Sequence, residues 1–289
     1  MKLQLIALAA AFSLAVASSP AITIANANAT FDRTLSTGST PNVTVNSGSG
    51  NIHIHAGSDS QVHIIGHVHA NGGLFSGNDA ESRVQQIVAN PPIAQNGNDI
   101  IIGEQHNPDL YRNISIDYDV TVPRASALNS NTGSGDITIE SAGASLKAHS
   151  GSGNVHASGV QGAATLGTGS GNIAFDQSAP GDVKAETGSG DIQLGNISGA
   201  LLSRTGSGSI TVQGQPTSDW RLSTGSGDIR AALGSAHFTV DASTGSGGIH
   251  VAQAIMMQGS LNHHHVSGTV NGGGPTIHAS TGSGDIQFK

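Results

Sequence analysis

Leu128-Asn129-Ser130-Asn131-Thr132-Gly133-Ser134-Gly135-Asp136-Ile137-Thr138-Ile139 decides the fold. Its centre, Thr132 to Ile137, recurs with Ser150, Thr168, Thr187, Thr205, Thr224, Thr244 and Thr281 in the first position. A degenerate copy, His265-Val266-Ser267-Gly268-Thr269-Val270, stands in the one long gap. A further copy, Ser47-Gly48-Ser49-Gly50-Asn51-Ile52, stands alone near the start. Self-similarity at a fixed short period is the mark of a repeat architecture, in which each unit buries its apolar face only against its neighbours.

Around each copy the apolar residues alternate. Leu128, Leu146, Val183, Leu201, Trp220, Val240 and Ile277 lie four residues before the motif's first position. Ile137, Val155, Ile173, Ile192, Ile210, Ile229, Ile249 and Ile286 follow the glycines. Polar residues fill the places between: Lys147, Lys184, Arg221 and His278 on one strand, Thr138, His156, Gln193 and Arg230 on the other. Period-two alternation with one apolar face predicts half-buried strands. Repetition of the same columns predicts that one unit lies on the next, each Ile or Leu column becoming a buried ladder. Gly at the bends permits the positive φ of tight turns. The expected fold class is all-β: a β-solenoid of about nine rungs, two short strands to each ~18-residue repeat, roughly 40 Å long at strand spacing.

Composition agrees. Of 289 residues 41 are Gly, 3% are aromatic and 10% charged, while 36% are hydrophobic, too many for a disordered chain. Such a core suits thin stacked layers. Lys2, the apolar run Leu3 to Ala17, and the small residues of Ala25-Asn26-Ala27 or Ala27-Asn28-Ala29 read as a signal peptide. Residues 1–27 are therefore expected to be removed, leaving a protein exported to the periplasm, cell surface or exterior. Residues 28–125 read as N-terminal strands and a capping region, and 126–289 as the repeat solenoid. Within the former, Asn78-Asp79-Ala80-Glu81 resembles a capping box. Val84, Ile87 and Val88 share a helical face, and Pro91-Pro92 stop it, so one short helix is expected between the first rung and the main array. Strands Asp99 to Ile102 and Ile114 to Val122 should then lead into the repeats. The chain has no cysteine, which excludes disulfides, thiolate metal sites and Cys nucleophiles. A formal net charge of −8 argues against nucleic acid and anionic lipid as partners. No second apolar run reaches membrane length, so no membrane insertion of the mature chain is expected.

The run Tyr118-Asp119-Val120-Thr121-Val122-Pro123, followed by Leu128 and then Thr132 to Ile139, resembles the bacterial putative-adhesin family, a domain of unknown function. The resemblance covers nearly the whole mature chain. It implies an exported solenoid with Gly-Asp-Ile strand starts, and it brings no catalytic residues to transfer.

Several residue patterns suggest chemistry. The motif's Asp is superficially like that of calcium-binding nonapeptide repeats, but here Asp follows Gly directly and the period is double. The same place holds Asn154, Asn172, Ser209 and Gly248, which make poor calcium ligands. Asp136, Asp191, Asp228 and Asp285 are never in consecutive copies, which predicts an acceptor column that avoids a ladder of charge. Glu140, Asp176, Asp182, Glu186, Asp219 and Asp241 fall at different repeat positions, so no pair converges as a glycosidase would require. His53 with His55, and His67 with His69, put two imidazoles on one strand face, and such pairs on neighbouring strands can hold zinc or copper. The simpler reading makes them the solvent side of alternating strands. His263-His264-His265 lies in a loop-like insertion. The Thr column could form a hydroxyl ladder of the ice-binding kind, although it sits at a glycine corner.

No catalytic, cofactor-binding or metal residue is assigned on this reading, and no cofactor is expected. The expected function is a non-enzymatic binding or scaffold role outside the cytoplasm, with a glycan, an envelope component or a protein as partner. A carbohydrate-active β-helix enzyme and an envelope-stress regulatory binding protein are the alternatives. The last unit, Thr281 to Lys289, carries Phe288 and no cap, so self-association through this C-terminal rung is also expected.

Overall fold

The computed structural model describes residues 28–70, 79–104, 107–257 and 263–289. The sequence-derived signal segment, 1–27, lies outside them. The chain opens with β1 (Asn28–Ser36), β2 (Asn42–Ser47), β3 (Ile52–Ala56) and β4 (Gln61–Ala70). Helix α1 (Ala80–Ala89) precedes β5 (Ile93–Asn96), β6 (Asp99–Ile102) and β7 (Ile114–Val122). The repeats give β8 (Ala127–Thr132), β9 (Ile137–Glu140), β10 (Ser145–Ser150), β11 (Val155–Val160), β12 (Ala164–Thr168) and β13 (Ile173–Gln177). They continue through β14 (Val183–Thr187), β15 (Ile192–Ile197), β16 (Leu201–Thr205), β17 (Ile210–Gly214), β18 (Trp220–Ser226) and β19 (Ile229–Ala232). The last are β20 (Phe238–Ser246), β21 (Ile249–Val251), β22 (Ile255–Met257), β23 (His265–Val270), β24 (Thr276–Ser283) and β25 (Ile286–Phe288).

These strands build a β-solenoid from two facing sheets. Sheet I runs β1-β4-β7-β3-β9-β11-β13-β15-β17-β19-β25-β21, and sheet II runs β22-β23-β20-β24-β18-β16-β14-β12-β10-β8-β2-β6-β5. Each layer gives one strand to each sheet, and successive layers pair parallel and in register, as Leu146 does with Leu128 and Ala164. The inward columns expected from the alternation are buried, with Ile137, Val155, Ile173, Ile192, Ile210, Ile229 and Ile286 all at most 1% exposed, except that Ile249, on the edge strand β21, is half-buried. They form one continuous core with their sheet II counterparts.

The order of layers departs from the order of the chain at both ends. Layer β2/β3 lies between β6/β7 and β8/β9, so β6 and β7 stand beyond the first repeat instead of leading into the array. Layer β24/β25 is tucked between β18/β19 and β20/β21. The expectation of an open carboxyl-terminal rung therefore fails. Phe288 is 0% exposed and stacks on Phe238 with ring centroids 6.0 Å apart, so it offers no surface for self-association. The degenerate copy is no layer either. With Val266 in place of the motif's first glycine, His265 to Val270 runs straight as β23, antiparallel to β20.

Among the described residues, antiparallel strands cover three of the four sheet ends, leaving β21 as the edge of sheet I. At the amino end β4 covers β7 and β1 covers β4, while β5 covers β6. At the other end β23 and β22 cover sheet II. Such strands occupy the exposed edge that a parallel stack leaves to the next chain. Helix α1 packs against β1 and β4 through buried Val84 and Ile87. Asp79 caps it without a side-chain hydrogen bond, and Asn78 lies outside the described residues.

The corners explain the spelling of the repeat. The motif's first hydroxyl is buried and donates to a glycine carbonyl of the adjacent layer: Thr132 to Gly50 at 2.9 Å, Ser150 to Gly135 at 2.8 Å, Thr168 to Gly153 at 2.7 Å. The Asp or Asn column accepts a backbone N–H from the next layer. This ladder runs from Asp117 through Asn51, Asp136, Asn154, Asn172, Asp191, Ser209 and Asp228 to Asp285 and Gly248. The acceptor role read from the sequence is thus present, and its donor is the neighbouring layer. The avoidance of adjacent carboxylates is not complete. Because the last layer is inserted, Asp228 and Asp285 are neighbours, and Arg230 offsets the pair by holding Asp228 at 2.6 Å. Most motif glycines do not need positive φ. A Cβ on Gly153 would lie 1.9 Å from the Gly135 carbonyl oxygen, so the demand is for close approach between layers.

Candidate functional site

With the corners and the core committed to structure, function falls to the two outer sheet faces. On sheet II the outward residues of successive strands stand in one row, Lys147, Thr165, Lys184, Leu202, Arg221, His278 and Asp241. A shallow open groove of about 500 Å³ follows the middle of this row, lined by Thr165, Lys184, Leu202, Arg204 and Arg221. A second, of about 300 Å³, adjoins it beside Thr44, Asn129 and Lys147. Lys184 pairs with Glu186 at 2.8 Å. No ion pair holds Lys147 or Arg221 among the described residues. Four cations of an acidic protein, Lys147, Lys184, Arg204 and Arg221, thus share one face.

The scattered acids do not converge. Asp182 accepts the Ala200 N–H at 3.1 Å and Asp219 the Thr276 N–H at 2.8 Å, so both serve as interlayer acceptors. Glu140 and Asp176 lie on sheet I, two layers apart with Ser158 between them. Asp241 pairs with His278 at 2.9 Å. The Thr column is interior (Thr168 is 5% exposed), which removes the ice-binding reading.

Five histidines, His53, His55, His63, His67 and His69, lie on the outer face of sheet I at the amino end. β3 and β4 are not neighbours, since β7 lies between them, so the two His-x-His pairs do not meet. Each instead faces an acid of β7. His69 Nε2 lies 3.2 Å from Asp117, and His55 Nδ1 lies 3.3 Å from Asp119. His53 and His55 stack with ring centroids 5.3 Å apart, and together with Asp119 they form a group whose ligand atoms lie within 4.8 Å of one another. Asp119 was not singled out in the sequence. Its signal is the alternation Asp117-Tyr118-Asp119, which marks both acids as the outward half of a strand. Tyr118 between them faces inward, and burial, with Tyr111 adding a smaller effect, pushes its phenol well above the ordinary range.

A capped two-sheet solenoid with flat, polar outer faces is the class of protein these features define. The Toastrack DUF4097 family matches residues 41–289, and the chain belongs to that family. Two solved structures are similar over most of their length. A putative adhesin from Bacteroides fragilis has 14% identity and a TM-score of 0.47, covering 90% of this chain and 97% of that one. A putative cell adhesion protein from Clostridium sporogenes has 12% identity and a TM-score of 0.27, covering 90% and 99%. No curated protein sequence matches the chain. Among the described residues no helix is long and apolar enough to cross a membrane.

Proposed function

We propose that this chain is a non-enzymatic binding scaffold outside the cytoplasm, and that it holds an extended acidic glycan along the outer face of sheet II. The registered row Lys147–Thr165–Lys184–Leu202–Arg221 carries the reading. Its cations recur at every second layer, roughly 10 Å apart at ordinary strand spacing. Between them Thr165 offers a hydroxyl and Leu202 an apolar surface, which suit the hydroxyl edge and the C–H face of a sugar ring. A polymer bearing an acid on alternate sugars can meet such a row without bending. The export signal read in residues 1–27 supports the compartment. The commitment of Asp182, Asp219, Glu186 and Asp241 to backbone, lysine or histidine partners on this face supports binding over hydrolysis.

Affinity electrophoresis of the mature protein against acidic and neutral polysaccharides tests this. Retention by acidic polymers is expected, weakening as salt screens the contacts. The combined Lys147→Gln, Lys184→Gln and Arg221→Gln variant should bind roughly tenfold less tightly or worse, a loss of ~1.4 kcal/mol or more. Equal retention by neutral polymers, or shortening of the polymer on incubation, would overturn the reading.

A further inference from the structure

His53, His55 and Asp119 lie on the sheet opposite the glycan row, and their geometry is independent of it. We propose that they form a surface site for one divalent transition-metal ion of the zinc type. Both imidazoles turn the same edge toward Asp119. Nδ1 of His55 is 3.3 Å from Asp119 Oδ1, and Nδ1 of His53 is 3.8 Å from the same oxygen. Ligands bound at about 2.0–2.2 Å in a tetrahedral zinc site stand roughly 3.3–3.6 Å from one another, close to these two separations, and all three ligand atoms lie within 4.8 Å of one another.

The opposite edges of the rings are held. His55 Nε2 is hydrogen-bonded to the Thr121 hydroxyl at 2.8 Å, and His53 Nε2 faces Glu140 at 3.7 Å. Metal-bound histidines have this arrangement, with the distal nitrogen donating to a hydroxyl, carboxylate or carbonyl that fixes ring orientation and leaves a lone pair on the other nitrogen. When His55 Nε2 donates to Thr121, its Nδ1 presents a lone pair to a carboxylate oxygen. In that tautomer the nitrogen and the oxygen are both acceptors 3.3 Å apart, an arrangement that a cation between them satisfies. His55 Nδ1 is buried and makes no hydrogen bond among the described residues. A metal ion satisfies the nitrogen and the oxygen together. Imidazole donors favour zinc or copper over calcium or magnesium. Three protein ligands leave a fourth position for water or for a donor group of another molecule.

The strand geometry makes the site. β3 places His53 and His55 on one face by its two-residue period, and β7 sets Asp119 directly opposite His53 in parallel register. That neighbour exists only because β6/β7 stacks outside β2/β3.

Isothermal titration of the mature chain, purified without a polyhistidine tag, with zinc chloride tests the proposal. One zinc per chain is expected. His55→Gln and Asp119→Asn should abolish saturable binding, whereas His67→Gln with His69→Gln should leave it unchanged. Thr121→Val keeps every ligand and should weaken zinc binding about 10–100-fold. With Co²⁺ in place of zinc, the visible absorption band of the bound ion should be lost in Asp119→Asn. If His55→Gln alters the circular dichroism melt, the Thr121→Val titration and the cobalt spectrum decide. Absence of saturable zinc binding, binding that survives His55→Gln in a folded chain, or binding lost only when His263, His264 and His265 are replaced would overturn the site.

Discussion

At Thr168 a single hydroxyl serves two layers. It donates to the Gly153 carbonyl at 2.7 Å and accepts from the Gly171 N–H at 3.2 Å, at a position 5% exposed. Thr168→Val keeps the shape and leaves both backbone groups unpaired, so it should cost about 1–3 kcal/mol. Thr165→Val on the outer face should stay within about 0.5 kcal/mol. Chemical denaturation of the two variants checks the difference, and equal losses would contradict the corner assignment. The acid column makes a second residue-scale prediction. Asp228 and Asp285 lie in adjacent layers, and Arg230 holds Asp228. Like charges opposite one another destabilise a sheet by a few tenths of a kcal/mol. Arg230→Gln should therefore destabilise by about 0.5–1 kcal/mol in the native background and by less in Asp285→Asn, a coupling that a double-mutant cycle measures. The acceptor role was legible because Asp, Asn and Ser alternate in one column. The adjacency of two Asp residues was not, because it depends on which layers touch.

At the scale of the element, alternation was a sufficient guide to strands and their faces. Ile192 is buried and Gln193 exposed, as the period of two requires. The glycines were legible as corners, but for an incomplete reason, since close approach matters more than φ at most of them. Gly153→Ala would set a Cβ 1.9 Å from a backbone oxygen that cannot swing away, whereas at Gly48 nothing lies within 4 Å. Thermal unfolding should show Gly153→Ala losing several degrees or failing to fold, and Gly48→Ala nearly unchanged. Similar effects at both positions would show that chain flexibility, not interlayer contact, selects glycine. Helix α1 was legible from Val84 and Ile87 and from the prolines beyond it. Strand β23 was not, because Val266-Ser267-Gly268 mimics a corner while lacking the first glycine.

Over the whole molecule, the repeat determines that layers stack and says little about their order. Every copy carries the same columns, so any copy can sit on any other with Thr over Thr and Ile over Ile. Thr281 does so between Thr224 and Thr244, reached by the long excursion through β20 to β23. The same freedom places β2/β3 inside β6/β7 and so creates the His53, His55 and Asp119 group, which no local reading of the sequence could assemble. Layer order can be tested directly, because the chain has no cysteine of its own. Ser223 and Ser280 are register partners on the outer face, with hydroxyl oxygens 3.2 Å apart. Their Cα atoms, one strand spacing apart at about 4.8 Å, fall inside the range a disulfide can span. Ser223 and Ser243 would be neighbours if the layers followed chain order, but with β24 between them they stand roughly 10 Å apart, beyond that reach. Under mild oxidation Ser223→Cys with Ser280→Cys should therefore close a disulfide within the folded monomer, and so should Ser243→Cys with Ser280→Cys. Ser223→Cys with Ser243→Cys should remain reduced. Mass spectrometry of peptide digests reads each bond, and a disulfide in the third pair with none in the first would mean that the final layer is stacked on the outside after all.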